Sequence, residues 1–135
     1  MKLKLLIITG FIFVSYVGAS QENNKISTLE TVEVINNNKA EALYYFQNNW
    51  AKLREQAIEN KLIYSYQLLE VDYTESTPFH FILITTYLNA SQFENREAVF
   101  QKLIESNPGL KLLNHKKPNE FRKSVFSITK ANNLN

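Results

Sequence analysis

Residues 62–88 read LIYSYQLLEVDYTESTPFHFILITTYL, and the fold follows from how this stretch divides. The polar run Thr74-Glu75-Ser76-Thr77-Pro78 separates residues 62–73 from residues 79–88. Both flanking segments are rich in Tyr, Phe, Ile, Leu and Thr, which fit a pleated, partly buried surface. The stretch therefore predicts two strands and a connecting turn. One face of the first strand carries Tyr64, Tyr66 and Leu68, and the other carries Ile63, Leu69 and Val71. The second strand sets Phe79, Phe81 and Leu83 against Ile82 and Ile84. A hairpin with one wet face alternates apolar and polar residues. Here both faces are apolar, which predicts a cover on each.

Helices supply one cover. Over residues 39–61, Leu43, Phe46, Trp50, Leu53 and Ala57 recur at steps of three and four, with Ile58 alongside. Lys52, Glu55, Gln56 and Glu59 fall on the opposite side, and neither Gly nor Pro interrupts the run. A second helix is expected over 92–106, with Phe93, Phe100, Leu103 and Ile104 on its apolar face. Ser91 and Glu94 have the spacing of a capping box, and Asn107-Pro108-Gly109 stops the helix. Residues 28–35 and 121–130 read as the first and last strands, the first closed by Asn36-Asn37-Asn38.

The beginning of the chain reads differently. Lys2 and Lys4 precede an apolar run over residues 5–17, and Val17-Gly18-Ala19 offers small residues where a signal peptidase cuts. This is the pattern of a secretory leader over 1–19, cleaved after Ala19 or Ser20, and it predicts an exported, periplasmic or secreted bacterial protein with no membrane anchor after cleavage. The run is short for a membrane-spanning helix, which needs roughly 20 apolar residues. The chain carries 15 Lys+Arg and 13 Asp+Glu. Lys2 and Lys4 belong to the leader, so the mature chain is balanced in charge. Its basic pI is thus no argument for nucleic acid as a partner. With no Cys, an exported domain must be held by its core, and residues 28–130 are long enough to build one. Residues 20–27 read as a flexible lead-in and 131–135 as a polar tail.

The element order, strand–helix–strand–strand–helix–strand, is the ferredoxin-like βαββαβ arrangement. It is an α+β fold with one antiparallel sheet and two helices on one face. Such a sheet leaves its other face bare. An apolar bare face is economically covered by a second copy, so a homodimer packed sheet to sheet is expected. The helix bearing Phe46, Trp50 and Leu53, the strands IYSYQLLEVDY and HFILITTYL and the segment SQFENREAVFQKL together resemble the dimeric α/β-barrel superfamily. That superfamily includes antibiotic-biosynthesis monooxygenases, EthD-like and NIPSNAP-like proteins. The resemblance covers roughly residues 28–130 and lies in pattern and topology. It implies a dimeric barrel, in some members with cofactor-independent monooxygenase or isomerase-like activity. Heme-degrading members place an Asn, a Trp and a helix-borne His around heme. Here the segment 92–106 has no His, so that activity is not carried over.

There is no GxGxxG, P-loop, GxSxG or HExxH. His80 and His115 are the only histidines, so no metal site and no cofactor is expected. His80 opens the second hairpin strand and is the candidate acid–base residue. An ordinary hydrogen-bonded histidine at a strand end is the alternative. Tyr64 and Tyr66, with Glu70 and Asp72 on the same parity, are candidates to face a barrel interior. Trp50 is a candidate pocket residue as well as a core residue. Lys116, Lys117 and Arg122 sit in the basic stretch 111–123, which holds one acid, Glu120. They are candidates for a lip that takes an anionic ligand, the alternative being a solvated loop. Three functions fit: a homodimeric module binding a small hydrophobic or aromatic ligand, a small enzyme of the same superfamily, or a structural protein of the envelope.

Overall fold

The computed structural model describes residues 23–135. The predicted leader over 1–19, and residues 20–22 of the predicted lead-in, lie outside the described residues. The elements run β1 (Ile26–Val34), α1 (Lys39–Tyr45), a π-helical turn (Phe46–Trp50), α2 (Ala51–Glu59), β2 (Ser65–Glu70), β3 (Phe81–Tyr87), α3 (Ala90–Glu94), α4 (Arg96–Ser106), α5 (Pro118–Phe121) and β4 (Arg122–Asn132). The sheet order is β2-β3-β1-β4, and every neighbouring pair is antiparallel. This is the expected ferredoxin-like α+β fold. No helix of the described residues is long and apolar enough to cross a membrane.

β3 alternates cleanly. Phe81, Leu83, Thr85 and Tyr87 are buried under the helices, and Ile82, Ile84 and Thr86 are half-buried on the other face. The register carries that division across the sheet. One helix-facing row is Leu68–Leu83–Glu30–Ser127, and one open row is Leu69–Ile82–Thr31–Phe126. The core forms two clusters. Val32, Ala42, Phe46, Phe81, Leu83 and Phe121 make one, and Ala57, Ile63 and Tyr87 make the other. Edge-on aromatic contacts fix their geometry, with Phe46 and Phe81 ring centres 5.6 Å apart and Tyr87 and Phe93 5.7 Å apart.

The boundaries differ from the sequence expectation for local reasons. β1 takes in Ile26 and Ser27, expected in the lead-in, because both pair with β3 and β4. Ala131 and Asn132, expected in the tail, complete β4 by pairing with those same two residues. The long first helix is interrupted by the π turn at Phe46–Trp50. The second is two helices meeting at Asn95, and its cap is Asn89 rather than Ser91. Asn89 Oδ1 accepts the Gln92 N–H at 2.9 Å, and Gln92 Oε1 accepts the Leu88 N–H at 2.8 Å. Ile58 and Ile104, expected on buried stripes, are exposed. The short α5 was not foreseen. Pro118 starts it, and Glu120 Oε2 accepts the Lys117 N–H at 2.8 Å.

The turn from β1 into α1 explains the asparagine run. Asn36 and Asn37 have φ of 55° and 56°, and the Asn38 N–H donates to the Ile35 carbonyl at 3.2 Å. Two left-handed central residues are the type I′ pattern, which Asn tolerates better than most residues. The amide groups of Asn36 and Asn38 then donate to the Glu120 carbonyl at 3.0 and 2.9 Å, tying this turn to α5.

Candidate functional site

A cleft of about 200 Å³ opens between the helices and the β1–β4 side of the sheet. Its helical wall carries Trp50 from the π turn, Arg54 from α2 and Arg96 from α4. Its sheet wall carries the hydroxyls of Thr28, Thr85, Ser127 and Thr129, together with Glu30 and Leu83.

Arg54 lies where a core residue is expected. It follows Trp50 by four positions and precedes Ala57 by three, so it shares their inward stripe. Its guanidinium carbon sits 4.3 Å from the Trp50 ring centre and 4.3 Å from the Phe100 ring centre. Nε donates to Thr85 Oγ1 at 3.3 Å, and Nη1 reaches the Trp50 carbonyl at 3.5 Å. Burial pulls the Arg54 guanidinium down to about 10, because removal from water disfavours its charged form.

Arg96 repeats the arrangement on the second helical segment. It lies three residues after Phe93 and four before Phe100. Its guanidinium stacks 4.0 Å over the Phe93 ring centre and donates to the Phe93 carbonyl at 2.8 Å. Lys130 approaches the same ring at 5.7 Å. Glu30, the one carboxylate in the cleft lining, is ion-paired with Arg122. Among the described residues, neither Arg54 nor Arg96 has a carboxylate partner.

The residues singled out from sequence are dispersed. Trp50 lines the cleft and also packs on the first core cluster. Tyr66 turns toward the helices, 5.6 Å from Trp50 ring to ring, and donates to Glu55 Oε1 at 3.2 Å. Burial and the Glu55 carboxylate hold the Tyr66 phenol above its usual range. Tyr64 precedes β2 and is half exposed, with Lys25 over its ring. Glu70 pairs with Lys39, and Asp72 is exposed.

His80 lies outside the cleft lining. Its Nδ1 accepts the Val34 N–H at 2.9 Å, and its ring stacks on Tyr73 at 5.1 Å. The expected basic lip is divided. Lys116 lies 4.0 Å from Glu120, the Lys117 backbone bonds to that same carboxylate, and Arg122 turns onto the helix-covered side to meet Glu30 and the Phe46 ring. Charged residues on a helix are expected to face solvent, and Arg54 and Arg96 depart from that rule. Their places within the Trp50–Ala57 and Phe93–Phe100 stripes were the available signal.

The opposite face of the sheet is the second region of interest. Leu29, Leu69, Ile82, Ile84, Phe126 and Ile128 occupy its two central rows. Leu69, Phe126 and Ile128 are 41%, 48% and 42% exposed. Thr31 is the buried exception. Its Oγ1 bonds both the N–H and the carbonyl of Phe126, at 3.1 and 3.2 Å, where β4 bulges.

No family model and no curated protein matches the chain. Two solved structures are similar. HapK from Hahella chejuensis aligns with a TM-score of 0.51 at 10% identity, over 81% of this chain and 92% of that one. An uncharacterized NIPSNAP-like domain protein from Burkholderia xenovorans aligns with a TM-score of 0.46 at 11% identity, over 78% and 81% of the two chains. The similarity to HapK is one of fold.

Proposed function

We propose that this protein is an exported homodimeric binding module. Two copies pack open face to open face, and each holds one small ligand in the cleft between its helices and its sheet. The observation that carries the dimer is the apolar open face. Leu69 of β2, Ile82 and Ile84 of β3, Leu29 of β1 and Phe126 and Ile128 of β4 lie on it, and soluble monomers rarely leave such patches in water. The basic and apolar leader supports export. The Trp50 ring at the cleft wall supports a ligand with an aromatic or apolar body. Binding is favoured over turnover because the candidate acid–base groups are engaged elsewhere, His80 with the Val34 N–H and Tyr66 with Glu55.

Native mass spectrometry of the mature protein from its own envelope tests this reading. The expected mass is twice that of the chain plus a non-peptide remainder. The double variant Leu69→Lys, Phe126→Lys is expected to run as a folded monomer. A wild-type monomer at micromolar concentration would overturn the dimer.

A further inference from the structure

We infer that the cleft is an anion site, built so that Arg54 and Arg96 receive the carboxylate of a small organic acid. This rests on reading the cleft as the ligand site, but it does not need the dimer, since every lining residue comes from one chain.

Two separate helical segments each place an arginine on an inward stripe, where the neighbouring positions are Trp50 and Ala57 or Phe93 and Phe100. Structural arginines turned toward a core are normally paired, because an uncompensated charge there is costly. These two are held by ring faces and by neutral oxygens instead. Glu30 does not fill the role, being engaged by Arg122. Arg96 also stands at the first position of α4, the positive end of the helix dipole, where a cation is disfavoured. Lys130 adds a third positive group near the Phe93 ring. The Glu30 carboxylate in the lining acts on Arg54 from a distance but is shared with Arg122, so the cationic groups outnumber it and leave a field that an anion relieves. The depressed Arg54 guanidinium is in keeping with this, since a bound carboxylate would restore its usual range.

The guanidinium fork suits a planar carboxylate, which it grips through two parallel N–H···O bonds. Thr85, Ser127 and Thr129 on the facing wall bring hydroxyl groups that can donate to the same ligand. Trp50 and Leu83 supply apolar surface for the body of the acid. An organic carboxylate therefore uses the whole cleft, whereas inorganic phosphate leaves the Trp50 and Leu83 surface unused.

The experiment is titration calorimetry on the full mature chain with benzoate, benzyl alcohol and inorganic phosphate, repeated on Arg96→Gln and Arg54→Lys. Circular dichroism checks that both variants fold. Arg54→Lys keeps the charge and the aliphatic stem, and Arg96→Gln stands at a helix start, so at least one folded variant is available. Benzoate is expected to bind, to weaken as salt is raised, and to lose about tenfold in affinity in each folded variant, the scale of a lost hydrogen bond to a charged group. Benzyl alcohol binding as tightly as benzoate would overturn the inference and leave the cleft as a ligand site. Phosphate binding in preference to benzoate would overturn the carboxylate assignment. Undiminished benzoate binding in the folded variants would place the acid elsewhere. Failure of all three probes would remove the cleft reading together with the inference.

Discussion

The two faces of this sheet are built from the same four strands and are both largely apolar in sequence, yet their environments differ. On the covered face, Phe81, Val32 and Leu83 are sealed beneath Phe46 and Ala42. On the open face, Ile82, Ile84, Phe126 and Ile128 have no such layer among the described residues. Polarity is distributed against intuition. The covered side holds Arg54, Arg96, Arg122 and Glu30, and the central rows of the open side hold mostly aliphatic and aromatic groups. Apolarity alone therefore does not say which face is the core. Contacts decide it, and polar groups inside a layer mark a purpose other than packing.

The largest expected effect breaks the covered face. Phe46 is fully buried and its ring meets those of Phe81 and Tyr45, so Phe46→Ala should cost about 3–5 kcal/mol in urea unfolding. A loss below 1 kcal/mol would mean that the two faces are not energetically distinct. Next comes the seam where β1 leaves the sheet. His80→Ala removes the acceptor for the Val34 N–H and should cost about 1–3 kcal/mol, with ligand binding in the cleft unchanged. A lost binding signal with unchanged stability would return His80 to a functional role.

Alkaline titration sharpens the contrast, because the desolvated groups belong to the covered side. Burial holds the Tyr87 phenol above its usual range. The unfolded chain then releases that proton first, so the native state binds more protons and stability falls as pH rises above about 10. Arg54 acts in the opposite sense. Its native guanidinium is pulled down to about 10, so the unfolded state holds the proton longer and stability rises with pH above that point. Tyr87→Phe should therefore flatten the alkaline loss, and Arg54→Met, which removes the titrating group, should steepen it, both read from urea midpoints across that range. Identical slopes in all three proteins would show that these groups are not desolvated.

The smallest effect on the fold itself belongs to the open face. Leu69→Lys with Phe126→Lys should shift monomer stability by no more than about 0.5 kcal/mol per site, in the range of surface substitutions. The same change should abolish self-association, seen in sedimentation. A large loss of monomer stability would show that this face is part of the core after all.

Much of the architecture was legible in the sequence. Phe46, Trp50 and Ala57 at helical spacing, and Phe81, Leu83 and Thr85 at strand spacing, announce their elements, and two apolar strand faces predict two covers. The site was less legible. Tyr64 and Tyr66 share a parity, but β2 starts at Ser65, so Tyr64 is left in the approach to the strand. Lys116, Lys117 and Arg122 are close in sequence, but α5 turns the chain between them and sends Arg122 toward Glu30.

By itself, then, the sequence determined the order of the main elements and the faces that must be buried, because these depend on local periodicity and on composition. Only the tertiary structure decided that Arg54 and Arg96 converge on one cleft while His80 serves the backbone. Those outcomes depend on side chains brought together from α2, α4 and the sheet, which no local pattern records.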